Sequence, residues 1–473
     1  MKENLIEKFL KFSYGSWVGL LLGLFTTMII TRLISVEALG IASMYSLFIQ
    51  LGMIIVICGA DQAFGRFFYE EDEEKRGFLL FNSLKLPLIN ILIVTFLVLL
   101  FYRPITIFLF GSESFILAIL ISFGIIIQLF VRFSQLILRM QQKANLYSLT
   151  QIFQKVFLLV STLLFVYLIG NNFRILIYSE LVAFTLVSIV AIYFGRHFWS
   201  VSNLKTSNTK HSQKDIIKFG LPFVFTVLIT WLFEGFDKIA LRHWSTFEEL
   251  GLYTAAMRLV ALLLIFKSTF STFWTPVSYE KFENNFENKD FFKYISIVVT
   301  FIMFFIAIVS IASKDWLVLL LGNEFKESAK IMPFLVFIPL LYTISETTVI
   351  GINFYKKINW HIFIALICCV LNIFGNWLLV PNYGAVGASI STAFTFVIFF
   401  TLRTLISLKY FKVRYPLIRI YILLSVISFY SVLSIISENF WINIFLGLGS
   451  TIILITLFYK DLIYILKNRT TLL

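Results

Sequence analysis

Charged residues are scarce in this chain of 473 residues, in which Asp, Glu, Lys and Arg together make up 14%. Soluble domains carry about 25% charged and about 45–50% apolar residues, whereas hydrophobic residues reach 59% here. A water-soluble domain cannot bury that much apolar surface. The composition therefore excludes a cytosolic enzyme, a nucleic-acid-binding module and a secreted disulfide scaffold. It predicts an all-α, polytopic membrane protein.

Cysteines and enzyme motifs are also few or missing. The three cysteines, Cys58, Cys368 and Cys369, lie in apolar runs and do not have the spacing of metal ligands. The motifs GxxxxGK(S/T), HExxH and GxSxG do not occur. No segment between apolar runs exceeds about 25 residues, which leaves no room for a soluble domain. We therefore expect no catalytic residue, no metal site, no cofactor and no nucleic-acid partner.

Long apolar runs dominate the rest of the chain. A membrane-spanning helix needs about 20 apolar residues, and about fourteen runs meet that length. The first run is longer than the apolar part of a secretion signal, so we expect it to be the first membrane helix. The predicted spans are 12–34, 39–64, 78–102, 114–138, 146–170, 173–194, 219–241, 250–275, 291–313, 331–350, 360–380, 384–405, 417–437 and 441–466.

The distribution of lysine and arginine predicts the orientation of these spans. Cytoplasmic loops of membrane proteins are enriched in both residues. If the N-terminus lies inside, about 25 of the 39 Lys and Arg fall in cytoplasmic segments and about 7 fall in outside loops. With an even number of spans the C-terminus also lies inside. We therefore expect a multi-pass protein of the bacterial cytoplasmic membrane with both termini inside.

A short repeat predicts that the chain has two similar halves. The segment RLISVEALG at 32–40 resembles RHWSTFEELG at 242–251, about 210 residues later, and both join an odd span to an even one. Parallel repeats of this kind build transporters that hold their substrate between the halves. The predicted domains are an N-lobe at 1–195, a cytoplasmic linker at 196–218, a C-lobe at 219–406, and two further helices with the tail at 407–473.

The fourth span carries a polar stripe that predicts a substrate groove. Gln128, Arg132, Gln135 and Arg139 are spaced so that they lie along one side of a helix. Lys155 belongs to a polar face on the fifth span. Buried charges in membrane helices mark substrate pathways by default, although polar contacts between helices are the alternative. We expect these side chains to line a cationic groove that opens inward.

The second half supplies further candidates. Arg258 and Lys267 lie in the eighth span, nine residues apart, so they can line one cavity only if that span bends or one of them pairs elsewhere. Glu234 and Lys238 are spaced to neutralise each other on the seventh span. Asp237 is then the freer acid. We expect a kink at Pro339 in the tenth span.

Several short motifs resemble those of the polysaccharide-transporter branch of the MOP flippase superfamily. They are Gly220-Leu221-Pro222 at the start of the seventh span, Asp237 near its end, GLYTAAMRL at 251–259 and NYGAVGA at 382–388. The arrangement of spans as six, six and two is similar as well. The likeness extends over nearly the whole chain, but the motifs are short and degenerate.

The resemblance implies a Wzx-like flippase for surface polysaccharides such as O-antigen or capsule. Such proteins move an undecaprenyl-diphosphate-linked oligosaccharide from the inner to the outer leaflet by alternating access. They use a V-shaped, two-lobed and generally cationic cavity. The family implies a monomer in contact with membrane lipid, with the polymerase and chain-length machinery as candidate protein partners.

Asp61 departs from the family pattern, which more often has an apolar residue at this position. It is a candidate partner of Arg66 or a site for a coupling ion. Asp61, Asp237 and Glu234 are the candidates for ion coupling, by H⁺ or Na⁺. The alternatives to a repeat-unit flippase are a membrane polysaccharide polymerase or ligase, a drug or cation exporter of the same superfamily, and a lipid II flippase.

Overall fold

The computed structural model describes residues 5–200, 209–284, 289–437 and 439–467, and for 5–16 and 466 it describes the backbone alone. The predicted linker therefore lies partly outside the described residues, at 201–208. The regular structure of the described part is entirely helical. Its α-helices are α1 Leu5–Leu33, α2 Val36–Ile57, α3 Ala60–Phe67, α4 Arg76–Leu100, α5 Tyr102–Phe110, α6 Phe115–Met140, α7 Ala144–Ile169, α8 Arg174–Phe194, α9 Gln213–Trp244, α10 Phe247–Val260, α11 Leu264–Asn284, α12 Lys289–Ala312, α13 Lys314–Val318, α14 Ser328–Leu335, α15 Phe337–Thr348, α16 Ile350–Phe354, α17 Asn359–Tyr410, α18 Leu417–Ile436 and α19 Phe440–Lys467.

The multi-pass fold predicted from the apolar runs is confirmed. Eleven helices of the described chain are long and apolar enough to cross a membrane, and the bent pair α10 and α11 raises the number to 12. Helix α17 has 52 residues, which as one straight helix would be about 78 Å long and exceed one hydrocarbon core of about 30 Å. Its backbone leaves the helical conformation at Gly384, between the predicted eleventh and twelfth spans. Helix α1 covers the predicted first span.

The chain divides into two compact units, Met1–Lys238 and Ile239–Leu473. The predicted lobes, by contrast, place the seventh span wholly with the second half. The lobe boundaries and the repeat therefore stay predictions. One local feature supports the repeat: α2 and α10 both begin after a hydroxyl residue, Ser35 and Thr246, whose side chain accepts the N–H of the third residue along. Such caps satisfy a backbone donor that the helix itself leaves unbonded.

Small residues set the helix contacts of the first unit. In this unit α6 packs against α2, α4 and α8, and α7 packs against α1 and α8. Where α2 crosses α6, a Cβ on Gly52 would lie 2.7 Å from the Ile125 side chain, and one on Gly124 would lie 2.2 Å from the Tyr45 hydroxyl. Membrane helices associate through such close packing, because lipid gives little hydrophobic force between them.

Helices α14 and α15 form the buried centre of the second unit. Helical hydrogen bonding is interrupted between them, because Pro339 has no N–H to donate to the carbonyl of Leu335. Val336 itself keeps helical backbone angles, φ −60° and ψ −23°, so the kink expected in the tenth span stays a prediction. Near the end of α15 and its continuation, aromatic rings including Trp274 and Phe292 pack into a buried cluster.

Candidate functional site

A break in the second predicted span places Asp61. Helix α2 ends at Ile57 and is followed by Cys58 and Gly59, whose φ angles are 49° and 75°, and the short helix α3 begins at Ala60. The start of α9 lies against this break: a Cβ on Gly59 would be 2.1 Å from the carbonyl oxygen of Gly220. Only glycine fits here, because the position combines a left-handed backbone with a backbone contact. The break directs α3 and its carboxylate towards α6.

Asp61 and Arg132 form an ion pair at this place. The Arg132 guanidinium donates two hydrogen bonds to Asp61 Oδ2, at 2.6 and 3.0 Å. Gln62 donates from its backbone N–H to Oδ1 and from its side chain to Oδ2. The Asp61 side chain is 9% exposed and that of Arg132 is 51% exposed. The alternative that Asp61 pairs with Arg66 is wrong, because Arg66 instead pairs with Glu70.

The ion pair lies in the wall of a cavity of about 570 Å³ in the first unit. Three members of the predicted α6 stripe line this cavity, namely Gln128, Arg132 and Gln135. The fourth, Arg139, is exposed two turns farther along α6 and is not part of the wall. Three of the four residues that the spacing places on one helix face therefore line the cavity, and their role in substrate binding stays a prediction.

The sequence singled out Glu234 as a coupling-ion candidate and placed Gln154 on the polar face of the fifth span, but it did not single out several other residues of the wall. Glutamines of three other helices line it, Gln50 of α2, Gln62 of α3 and Gln154 of α7. Helix α9 adds Thr226, Thr230, Trp231, Phe223 and Glu234, and α8 adds Phe184. Isolated glutamines in apolar spans are the signal that could have identified them, because each amide is costly in hydrocarbon unless it has a partner. The charged side chains of the wall are one guanidinium and two carboxylates, Arg132, Asp61 and Glu234.

Two other candidates of the first unit lie near this wall without forming part of it. The Lys155 side chain extends towards α1, where a Cβ on Gly23 would lie 3.9 Å from its Cε. Asp237 is 2% exposed, three residues after Glu234 on α9. The structure thus brings Glu234 to the cavity and buries Asp237 in protein.

The second unit separates its two predicted cations by a bend. The axes of α10 and α11 differ by 42°, with Arg258 before the break and Lys267 after it. The bend that the sequence required for both residues to act together is therefore present. The Lys267 ammonium lies 3.4 Å from the centre of the Tyr342 ring, a cation–π contact.

The second unit also contains a buried ion pair that the sequence did not predict as a site. Arg403 of α17 donates to Glu346 of α15 at 3.0 Å and to the Ser345 hydroxyl at 2.5 Å. Its guanidinium also lies 5.3 Å from the Tyr342 ring that Lys267 contacts. Two cations, one carboxylate and one ring therefore meet where α11, α15 and α17 pack.

The end of the predicted linker is attached to the loop after α3. The Lys210 backbone N–H donates to Glu71, and its ammonium donates to Asp72 at 2.5 Å. His211 contacts the Glu70 carboxylate at 2.8 Å. The hydrogen bond from Lys210 lowers the pKa of Asp72 below its usual value. These contacts fix the chain just before α9 enters the unit.

Among the described residues, no group of three or more His, Cys, Asp or Glu side chains is placed to hold a metal ion. The chain matches the family model described as polysaccharide biosynthesis protein over residues 6–282. No curated protein sequence matches it significantly.

Solved structures show the same fold. The lipid II flippase MurJ, in an inward closed conformation, superposes with a TM-score of 0.68 at 20% identity, over 96% of this chain and 99% of that one. An inward-facing multidrug resistance MATE family transporter of the MOP superfamily gives a TM-score of 0.62 at 17% identity, over 83% and 93%. A MATE structure in complex with MaL6 gives 0.52 at 14% identity, over 85% and 95%.

Proposed function

Because the chain belongs to the polysaccharide biosynthesis protein family, we propose that it is a flippase for an undecaprenyl-diphosphate-linked oligosaccharide. It carries the repeat unit from the cytoplasmic to the outer leaflet of the bacterial cytoplasmic membrane by alternating access, for the synthesis of a surface polysaccharide. The observation that supports this most is a cavity with a polar wall inside a unit of membrane helices. The fold shared with a lipid II flippase supports it as well.

The chemistry of the substrate explains why such a wall is needed. A diphosphate and its sugars cannot cross hydrocarbon unaided, because each unpaired polar group costs several kcal/mol there. Arginine suits the diphosphate, since its planar fork can donate two bonds to one phosphate. The proposed substrate contacts are Arg132, Arg139, Lys155, Gln128 and Gln135 in the first unit, and Arg258 and Lys267 in the second.

The membrane potential favours this direction of transport. The cell interior is negative, so moving an anion outward gains about 2.3 kcal/mol per charge per 100 mV. A proton or Na⁺ that returns on Asp61, Asp237 or Glu234 would reset the carrier. An Asp237→Asn protein that keeps full, gradient-dependent transport in proteoliposomes removes Asp237 from this role.

Lipid-linked intermediates in a deletion strain test the function. We expect repeat units to accumulate on the inner leaflet and to return to normal when the wild-type gene is restored. An R132A/R139A double variant should restore export at least about tenfold less well, because it removes two charged hydrogen-bond donors. The matched control is R103A/R174A, which removes the same charge from exposed positions of the first unit. Undiminished export by R132A/R139A contradicts the binding role.

One observation favours a second candidate function, a cation exporter of the same superfamily. Two of the three charged side chains in the cavity wall are carboxylates, Asp61 and Glu234. Efflux of the cationic dye ethidium from cells that express the chain separates the two functions. A flippase leaves dye accumulation unchanged, whereas an exporter lowers it in a way that Glu234→Gln abolishes.

A further inference from the structure

The wall of the first-unit cavity is rich in amides that the protein itself does not use. Gln50, Gln128 and Gln154 come from three helices, and within the described residues their side chains make no hydrogen bond to protein. A primary amide both donates and accepts, as a sugar hydroxyl does. Three unused amides at one cavity in a membrane protein indicate a ligand with many hydroxyl groups, since such groups are otherwise costly there.

The charges of the same wall disfavour a diphosphate. Its one guanidinium, of Arg132, already donates two hydrogen bonds to Asp61, and Glu234 adds a second carboxylate. A diphosphate bound by the remaining N–H groups of Arg132 would lie close to the Asp61 carboxylate, whose charge already offsets that of the guanidinium. Like charges at close range in a partly desolvated site repel strongly. An uncharged sugar meets no such cost.

The size and the aromatic lining of the cavity also fit a sugar. The cavity volume of about 570 Å³ lies within the range of sites that enclose a small molecule, about 300–1,000 Å³. Phe184, Phe223 and Trp231 supply aromatic faces, against which the apolar C–H faces of a pyranose ring can pack. Amide edges for hydroxyls and aromatic faces for C–H groups together match the two kinds of surface of a carbohydrate.

From these observations we infer that the first-unit cavity binds the uncharged oligosaccharide of the substrate, while the diphosphate stays outside it at Arg139. The inference rests on the proposed function and divides its substrate contacts. Gln50, Gln128 and Gln154 bind the sugar, whereas Arg132, among the substrate contacts proposed above, acts by holding Asp61 in the wall and does not bind the diphosphate. Arg139 lies seven residues beyond Arg132, so the diphosphate is about 10 Å farther along α6.

Two separate probes test this division on the full-length protein in lipid nanodiscs. One is the reducing oligosaccharide released by mild acid from the lipid-linked pool of the host, and the other is farnesyl diphosphate, which has no sugar. We expect Q128L/Q154L to weaken oligosaccharide binding at least about tenfold and to leave farnesyl diphosphate binding within about twofold. Arg139→Ala should show the reverse. Gln151→Leu, on α7 but outside the wall, is the matched control.

The single variant Gln50→Leu keeps the test decisive if the double variant does not give a monodisperse protein, because Gln50 belongs to a different helix. The inference is overturned if the glutamine variants leave oligosaccharide binding unchanged, or weaken farnesyl diphosphate binding as much. Either result would leave the proposed function standing, because export in the deletion strain measures that function without reference to the cavity.

Discussion

The two members of the Asp61–Arg132 pair differ in how much they depend on each other. The Asp61 side chain is 9% exposed, whereas that of Arg132 is 51% exposed and can reach water without its partner. Removing one partner of an ion pair is costly mainly because the other charge is left buried. The loss of Arg132 should therefore damage the protein more than the loss of Asp61.

Thermal unfolding of the purified protein in detergent measures this asymmetry. Arg132→Met, which keeps much of the side-chain volume, should lower the free energy of unfolding by about 1–3 kcal/mol and lower Tm accordingly. Asp61→Asn keeps an acceptor for the guanidinium and should cost less than about 1 kcal/mol.

The double variant D61N/R132M serves as the control, because it leaves no unpaired charge. Its Tm should lie above that of Arg132→Met alone. If the two single variants lost equal amounts of stability, or if the double variant were less stable than Arg132→Met, the proposed difference between Asp61 and Arg132 would be contradicted.

Sequence reasoning at the residue scale identified the helix face of Arg132 but not its partner. The spacing of Gln128, Arg132 and Gln135 follows from helix geometry, which is local. The partner of Asp61 depends on the break at Gly59, which turns α3 towards α6. No local pattern in the sequence encodes that contact between helices.

At the scale of the element, Gly384 joins the two halves of α17 in a conformation that other residues rarely adopt. Its φ and ψ are 51° and −131°, and a Cβ would lie 2.6 Å from Glu249 Oε2. That carboxylate accepts the N–H of Ala385 at 2.7 Å, at the start of the second half. A negative charge at a helix N-terminus is favourable, because the unbonded N–H groups there carry partial positive charge. The Glu249 carboxylate thus occupies the space that a side chain at position 384 would need.

Gly384→Ala should therefore destabilise the protein by more than about 2 kcal/mol, since strain of about 1–2 kcal/mol adds to the displacement of Glu249. A lower Tm and a lower yield of protein integrated in the membrane would show this destabilisation. Gly449→Ala is the matched control, because that glycine lies inside α19 with no atom near its missing Cβ, and alanine favours a helix. A G384A protein as stable as G449A would contradict the strain at this position.

The predicted spans and the observed helices agree because membrane thickness fixes how long an apolar run must be. What the sequence could not locate are the breaks inside spans, at Cys58–Gly59 and between α10 and α11. A break depends on which backbone groups a neighbouring helix covers, as Gly220 does for Gly59. Proline differs from these positions, because Pro339 removes a backbone donor whatever its surroundings, and the sequence alone therefore marks a missing helical hydrogen bond there.

At the scale of the whole molecule, the orientation in the membrane follows from where the cations lie, and it stays a prediction. Lysines and arginines concentrate in alternate loops, which favours both termini inside. A single span more or fewer would move every later loop to the opposite side. The side on which a late loop is found therefore reports on the number of spans before it.

Single cysteines introduced into a cysteine-free variant of the chain test the orientation, once Cys58, Cys368 and Cys369 have been replaced. Positions Asn172 and Glu324 are exposed in predicted outside loops, and Glu74 and Lys357 are exposed in predicted inside loops. In intact spheroplasts, a membrane-impermeant maleimide should label cysteines at the first two positions and not at the last two.

Permeabilised cells are the control, since all four cysteines should then react. A position that stays unlabelled in permeabilised cells does not report on which side of the membrane it lies. The two outside positions lie in different halves of the chain, so each tests its own part of the span count. Labelling at 172 without labelling at 324 would mean that an odd number of crossings was misassigned between them. Labelling at Glu74 and Lys357 alone would invert the whole arrangement, and would place Arg139, at the end of the predicted fourth span, on the outer side of the membrane instead of the cytoplasmic side.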